Sequence, residues 1–252
     1  MSASSATRRV ALVTGANKGI GFEIARQLGL NHGVTVIVGA RDQTRGSQAT
    51  ERLRKLGADA HFAQLDVTDP ESIEAAARKI TQEFGGRLDI LVNNAGVALD
   101  FNPPSRTDLE KLKATFEVNV YGPLAVTKAM VALLKQSPAG RIVNVSSGLG
   151  SIARNRGSDP KNSPYAAYRI VGYNSSKAAL NMQTVLFAGE FAAEDLPIKI
   201  NSVAPGYTAT DLNQHRGTQT VEQGASVPVR LALLPDDGPT GGFFDENGSV
   251  PW

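Results

Sequence analysis

The sequence has 252 residues, with 26 Lys and Arg against 24 Asp and Glu, a formal net charge of +2, and no cysteine. That length suits one α/β domain with a sizeable core and leaves no room for a second substrate domain, and the near-neutral balance lacks the positive excess that a nucleic-acid partner demands. Disulfides, thiol catalysis and Cys-ligated zinc are excluded, and His32, His61 and His215 lack metal-ligand spacing, so the chemistry has to come from hydroxyls, amines and a cofactor.

The opening MSASSATRR is polar, and the apolar run after it is only strand-length. That is too short for a signal-peptide core or a membrane span, so a cytoplasmic protein without membrane contact is expected. Near-continuous apolar runs then recur at 8–15, 34–40 (VTVIVGA), 58–67 (ADAHFAQLDV), 88–96 (LDILVNNAG), 141–147 (RIVNVSS) and 198–206 (IKINSVAPG). Strands of this kind belong to a parallel sheet buried on both faces. Between them lie helical patterns: GFEIARQLGLN, QATERLRKLG, PESIEAAARKITQEFG and a long segment over 108–136. In the third, Ile73, Ala76, Ala77 and Ile80 share one face, while Asp69-Pro70-Glu71 supplies a cap, an N1 proline and a dipole-favoured acid. GGFFDENG near the end reads as a closing strand and turn.

This alternation implies right-handed crossovers and an α/β fold: a single doubly wound parallel β-sheet of Rossmann type, flanked by helices on both faces, as one domain over 1–252. The stretch 148–162 (GLGSIARNRGSDPKN) is irregular and follows the fifth strand, where a loop borders the ligand crevice.

The first strand runs through Thr14 and Gly15 into Ala16-Asn17-Lys18-Gly19-Ile20-Gly21 and then a helix. Glycines there permit a tight turn and close backbone approach to a pyrophosphate, and the helix N-terminus attracts the anion. The spacing is Gly-x3-Gly-x-Gly rather than G-x-G-x-x-G, and a purely structural turn has the same look. The second strand ends Gly39-Ala40-Arg41, with no acid at its tip to hold a ribose 2′-hydroxyl. Arg41 and Lys18 suit a 2′-phosphate, which favours NADP(H); Asp42, one residue on, keeps an NADH reading open.

Tyr173 is followed four residues later by Lys177, one helical turn on and on the same face. A nearby ammonium favours the phenolate, so Lys177 is expected to lower the Tyr173 pKa towards the working range. The pair follows the fifth strand, whose Ser146 and Ser147 emerge at the ligand-binding edge.

Together these motifs resemble the short-chain dehydrogenase/reductase family over nearly the whole chain. Thr14-Gly15-x3-Gly19-x-Gly21, Asp66-Val67, Asn93-Asn94-Ala95-Gly96, Asn119, Ser147, Tyr173-x3-Lys177 and Pro205-Gly206 stand in the family's order. Asn17-Lys18, Ala40-Arg41-Asp42 and the lengthened segment before Tyr173 are similar to NADPH-dependent carbonyl reductases. The resemblance implies reversible hydride transfer between NADP(H) and a small carbonyl or alcohol substrate. In it Tyr173 is general acid or base, Lys177 lowers its pKa and holds the nicotinamide ribose, Ser147 holds the substrate oxygen, and Asn119 positions a relay water. Asn93, Ala95 and Gly96 line the cofactor, Asp66 and Val67 meet adenine, and Pro205, Gly206 and Thr208 flank the nicotinamide. For Asn93 and Asn94 a purely strand-edge role stands equally open, and Ser146 is expected to satisfy backbone groups.

Twenty-five residues separate Ser147 from Tyr173, so specificity does not carry over from compact relatives. Loops 148–168 and 207–227 are expected on the substrate side, with Val97, Leu149, Ile152, Tyr168 and Tyr207 as pocket or core residues. The segment 174–191 is apolar round much of its circumference, which points to a homodimer or homotetramer, whereas the inserted loop resembles, in a shorter form, insertions that cover this interface in some monomeric carbonyl reductases. An alcohol dehydrogenase acting mainly in oxidation, and a non-catalytic NADP(H) sensor, are the competing readings.

Overall fold

The computed structural model describes residues 8–156 and 168–252. Strands β1 (Val10–Thr14), β2 (Thr35–Ala40), β3 (Ala60–Gln64), β4 (Ile90–Asn93), β5 (Gly140–Val145), β6 (Ile198–Val203), β7 (Phe243–Asp245) and β8 (Gly248–Ser249) form one sheet in the order β3-β2-β1-β4-β5-β6-β7-β8. All neighbours are parallel except the β7–β8 hairpin. Strand order reverses between β1 and β4, and a crevice opens beyond the strand ends at such a switch point.

Alternate residues of each strand serve two cores. Ala11, Val13, Val36, Val38, Ile90 and Val92 pack with α1 (Gly19–His32), α2 (Gln43–Lys55) and α8 (Val221–Ala232). Leu12, Ile37, Leu91, Ile142 and Ile200 pack on the opposite face with α3 (Pro70–Glu83), α5 (Gly122–Leu134) and α7 (Val171–Ala193). This two-sided burial is why the strands read as unbroken apolar runs.

The helix signals resolve locally. Asp69 accepts the Glu71 amide, Pro70 occupies the first turn, and Ile73, Ala76 and Ile80 are buried. The second helix starts at Gln43, ahead of the expected 48, because Asp42 caps it by accepting the Arg45 amide at 2.8 Å. The segment 108–136 is not one helix. A π-turn over Glu117–Tyr121 separates α4 (Leu109–Phe116) from α5, and Pro123 has no N–H to give the Asn119 carbonyl four residues earlier. The described part of the irregular stretch carries a short helix, α6 (Ile152–Arg156), and its remainder lies outside the described residues. No helix among the described residues is long and apolar enough to cross a membrane. On α7, Met182, Val185 and Leu186 are exposed.

A buried polar ladder ties helices to the sheet. Asn93 Nδ2 donates to Asn144 Oδ1 (2.8 Å) and Thr127 Oγ1 (3.0 Å), Asn144 Nδ2 donates to Thr184 Oγ1 (2.8 Å), and Thr184 and Ser202 hydroxyls meet at 2.8 Å. Asn93, Asn144 and Ser202 are register partners across β4, β5 and β6, and each is at most 2% exposed. Replacing one member by an apolar residue strands the others' donors and acceptors without water. Asn144→Leu should therefore cost about 2 kcal/mol of unfolding free energy, read as a lower urea midpoint with unchanged m-value; a midpoint equal to the wild type's would show that the ladder contributes nothing net.

Candidate active site

At the switch point Thr14 Oγ1 accepts the amides of Asn94 (2.9 Å) and Ala95 (3.0 Å), and Asn94 Nδ2 donates back to the Thr14 carbonyl (2.9 Å). The ends of β1 and β4 are thereby locked side by side. Gly15 (φ 64°) and Gly19 (φ 57°) hold the left-handed turns that bring the chain from β1 into α1. A Cβ on Gly21 would lie 2.4 Å from Asn94 Nδ2 and 2.7 Å from the Gly15 carbonyl, so α1 approaches the strand ends only because that side chain is missing. No side chain caps α1's N-terminus, which leaves its first amides available to an anion.

Beside this turn lies a cavity of about 1220 Å³. Gly15, Asn17, Lys18, Gly19, Ile20 and Gly21 form one wall, Arg41, Asp66 and Val67 a second, and Ala95, Gly96, Tyr173, Lys177 and Pro205 a third. Three expected cofactor residues stand elsewhere. Asn93 is enclosed in the polar ladder and Gly206 lines a neighbouring cavity. Thr208 is 4% exposed, its hydroxyl donating to the Pro205 carbonyl at 3.0 Å and packing where a Gly224 side chain would be. Thr210 and Asp211 line the large cavity instead. Two threonines two residues apart look alike in sequence, and only the folded loop separates them.

Charged residues at the cavity are partly committed. Lys18 Nζ lies 2.5 Å from Asp211 Oδ2, and His215 Nε2 lies 2.9 Å from Asp211 Oδ1. The Lys18 contact, with His215 behind it, holds the Asp211 carboxyl below the usual carboxylate range. Arg41 reaches over the cavity with 74% of its side chain exposed, its Nε 4.0 Å from Asp66. Asp42 is absent from the lining residues. Its carboxylate stays at the start of α2, held low chiefly by the Arg45 amide.

Tyr173 and Lys177 both stand on the first turns of α7. The Lys177 ammonium, 4% exposed, donates to the Val145 carbonyl at 2.8 Å and lies 5.7 Å from the Tyr173 ring centre. Burial lowers its pKa from 10.5 to about 8. The expected depression of the Tyr173 pKa by Lys177 does not follow from this geometry. Burial pushes the phenol up, and the neighbouring Ser147 hydroxyl pulls it partly back. Gly96 leaves the room in which Lys177 Nζ and Asn119 Oδ1 converge, each 3.4 Å from where a Gly96 Cβ would be. Asn119 Oδ1 accepts the Val97 amide (2.9 Å), and its Nδ2 donates to the Val97 carbonyl (2.8 Å) and Ser176 Oγ (3.0 Å). That side chain clips the β4 exit to α7. Ser146 donates to the Lys177 carbonyl at 3.3 Å, the backbone role expected of it.

Ser147 faces a second cavity of about 550 Å³, with Leu149, Tyr168, Gly206 and Tyr207 in its wall. Val97 lines the larger cavity, while Ile152 is 70% exposed and lines neither. Pro205 belongs to both. Ser147, in the wall of one cavity, thus stands close enough to Tyr173, in the wall of the other, to act on its phenol.

Residues 9–220 match the family described as short chain dehydrogenase. The chain is 37% identical to (-)-isopiperitenone reductase of Mentha piperita, covering 96% of this chain and 98% of that protein. It is 34% identical to Carbonyl reductase [NADPH] 1 of Mus musculus, covering 98% and 100%. The crystal structure of NADPH-bound carbonyl reductase from chicken fatty liver superposes with a TM-score of 0.82 at 28% identity, covering 97% of this chain and 99% of that one. Matched over most of its length by the family and end to end by these relatives, the chain belongs to the short-chain dehydrogenases and is an oxidoreductase of that family.

Proposed function

We propose that this chain reduces a ketone, aldehyde or quinone carbonyl to the alcohol, using NADPH. The observation that carries the reading is that Ser147 and Tyr173 come together where the two cavities adjoin, Ser147 lining the smaller and Tyr173 the larger. One cavity has the walls of a dinucleotide site and the other the size of a small-molecule site, roughly 300–1,000 Å³. The glycine turn fits the cofactor: its backbone and the uncapped start of α1 face the cavity, and α1 lies close to the strand ends because Gly21 has no side chain. Bound in the larger cavity, NADPH would supply the hydride.

Ser147 holds the substrate oxygen and orients it towards Tyr173. With its pKa raised by burial, Tyr173 carries its proton at neutral pH and can deliver it to that oxygen as negative charge develops. Lys177 supports the nicotinamide ribose and supplies positive charge beneath the phenol. Asn119 serves through its backbone: its side chain is taken up by Val97 and Ser176, and Pro123 has no N–H to offer its carbonyl, which suits that oxygen to a relay water. Arg41 favours NADPH by facing the cavity while Asp42 turns to its helix cap; the similarity to the mouse Carbonyl reductase [NADPH] 1 supports the same cofactor. The chain works as one unit, with the segments after Ser147 and Gly206 on the substrate side, and the exposed apolar residues of α7 support self-association through that helix.

Three outcomes follow. Tyr173→Phe should lower kcat for NADPH-dependent carbonyl reduction about a thousandfold while leaving the NADPH dissociation constant within about twofold; retained turnover would remove Tyr173 from the mechanism. Arg41→Ala should reduce the preference for NADPH over NADH, as the ratio of kcat/KM, about tenfold or more. The third concerns pH: the cofactor favours the charged amine of Lys177, whose free-protein pKa is about 8, so binding is tighter below that pH and weakens above it. NADPH titrations from pH 6.5 to 9.5 should show about fivefold weakening across the transition, absent in Lys177→Met; parallel profiles for the two proteins would assign it elsewhere.

A further inference from the structure

The smaller cavity has a chemistry of its own, and the inference drawn from it rests on the carbonyl-reducing function proposed above. Its charged lining among the described residues is Arg154, Asp245 and Glu246. Arg154 Nη2 and Asp245 Oδ2 pair at 2.7 Å, with side chains 25% and 11% exposed, so their charges cancel locally. Glu246 is left as the excess charge. It sits in the turn between β7 and β8, a turn shaped by Asp245 accepting the Asn247 amide at 2.8 Å.

The neighbouring Gln219 positions this charge. Its Nε2 donates to Glu246 Oε2 at 3.0 Å, which commits the amide's donor end to the carboxylate. Its Oε1 is buried and has no hydrogen-bond partner. Gln219 thus holds the Glu246 carboxylate in place, while its own Oε1, shut away from the cavity, adds no acceptor to the wall. Elsewhere in the wall Tyr168 and Tyr207 form a ring pair with centroids 5.8 Å apart, hydroxyls meeting at 3.2 Å. The two tyrosines share the cavity with that carboxylate, and aromatic rings and carboxylates alike attract ammonium groups.

We infer that the substrate is a carbonyl compound with an apolar or aromatic body whose end remote from the carbonyl bears an ammonium or other hydrogen-bond donors, and that Glu246 selects it by its charge. Ser147 and Glu246 line the same cavity, the first placed for the carbonyl and the second for the donor-bearing group. Glu246 is a specificity-determining residue, since it carries no part of the proton or hydride transfer. Being exposed, it acts through a screened interaction, so its effect is a few-fold and diminishes with salt.

Binding of unreactive product alcohols to the NADPH-loaded enzyme tests this. Three probes share one body: 1-[4-(aminomethyl)phenyl]ethanol, 1-(4-methylphenyl)ethanol and 4-(1-hydroxyethyl)benzoate. By isothermal titration at low salt the ammonium alcohol should bind most tightly and the carboxylate least. Glu246→Gln should shrink the ammonium-to-carboxylate ratio about threefold to fivefold with the neutral alcohol's affinity unchanged, and Glu246→Lys should invert the order. A ratio that is the same in the wild type and both variants, a wild type that prefers the carboxylate, or failure to bind any of the three would overturn the inference. Reduction of 4-methylacetophenone by NADPH is followed separately: its absence would bring down the reductase reading, while the binding ratios would still decide the role of Glu246.

Discussion

One hydroxyl sits where the whole arrangement turns. Thr14 Oγ1 receives the amides of both Asn94 and Ala95 at the point where the sheet reverses its order. That double acceptance adds a side-chain clamp to the backbone ladder between β1 and β4 just where the two strands end. Because they are joined, the glycine turn after β1 and the Ala95-Gly96 exit after β4 become two adjacent walls of one cleft. The third wall follows from β5, whose Val145 carbonyl anchors Lys177 and so sets where the first turn of α7 lies. The site is a consequence of three strand ends held in register.

Much of this was readable in the residues. Runs such as VTVIVGA could be assigned as doubly buried strands because their alternate residues serve two cores, and Asp69-Pro70-Glu71 marked the start of α3 because each residue has a separate physical reason to be there. The Tyr173 and Lys177 spacing is a helical turn, and the fold brings the pair to Ser147 across the gap of 25 residues.

What escaped was governed by three-dimensional competition. Thr208 and Thr210 have identical chemistry, and the burial of one against Gly224 and exposure of the other to the cleft depend on a loop path that no local pattern encodes. Asn93 seemed as suited to a cofactor wall as to the sheet, and register with Asn144 and Ser202 decided for the sheet. The interruption of the 108–136 helix did have a signal, Pro123, whose missing donor falls opposite Asn119. The influence of Lys177 on Tyr173 was argued from charge alone, whereas in the fold burial acts on both groups and pushes each towards its neutral form.

The ion pair of Lys18 with Asp211 joins two loops 193 positions apart. Any ligand that recruits the Lys18 ammonium must first outcompete a carboxylate already seated on it, so occupancy of the cleft is an exchange of counter-ions rather than an arrival at a vacant charge. A phosphate dianion compensates for the broken contact with a stronger one, whereas a ribose hydroxyl offers nothing in return. Both side chains are more than half exposed, so the exchange is a weak one, and it falls only on a ligand that needs the ammonium; a ligand that leaves Lys18 alone leaves the two loops tied together.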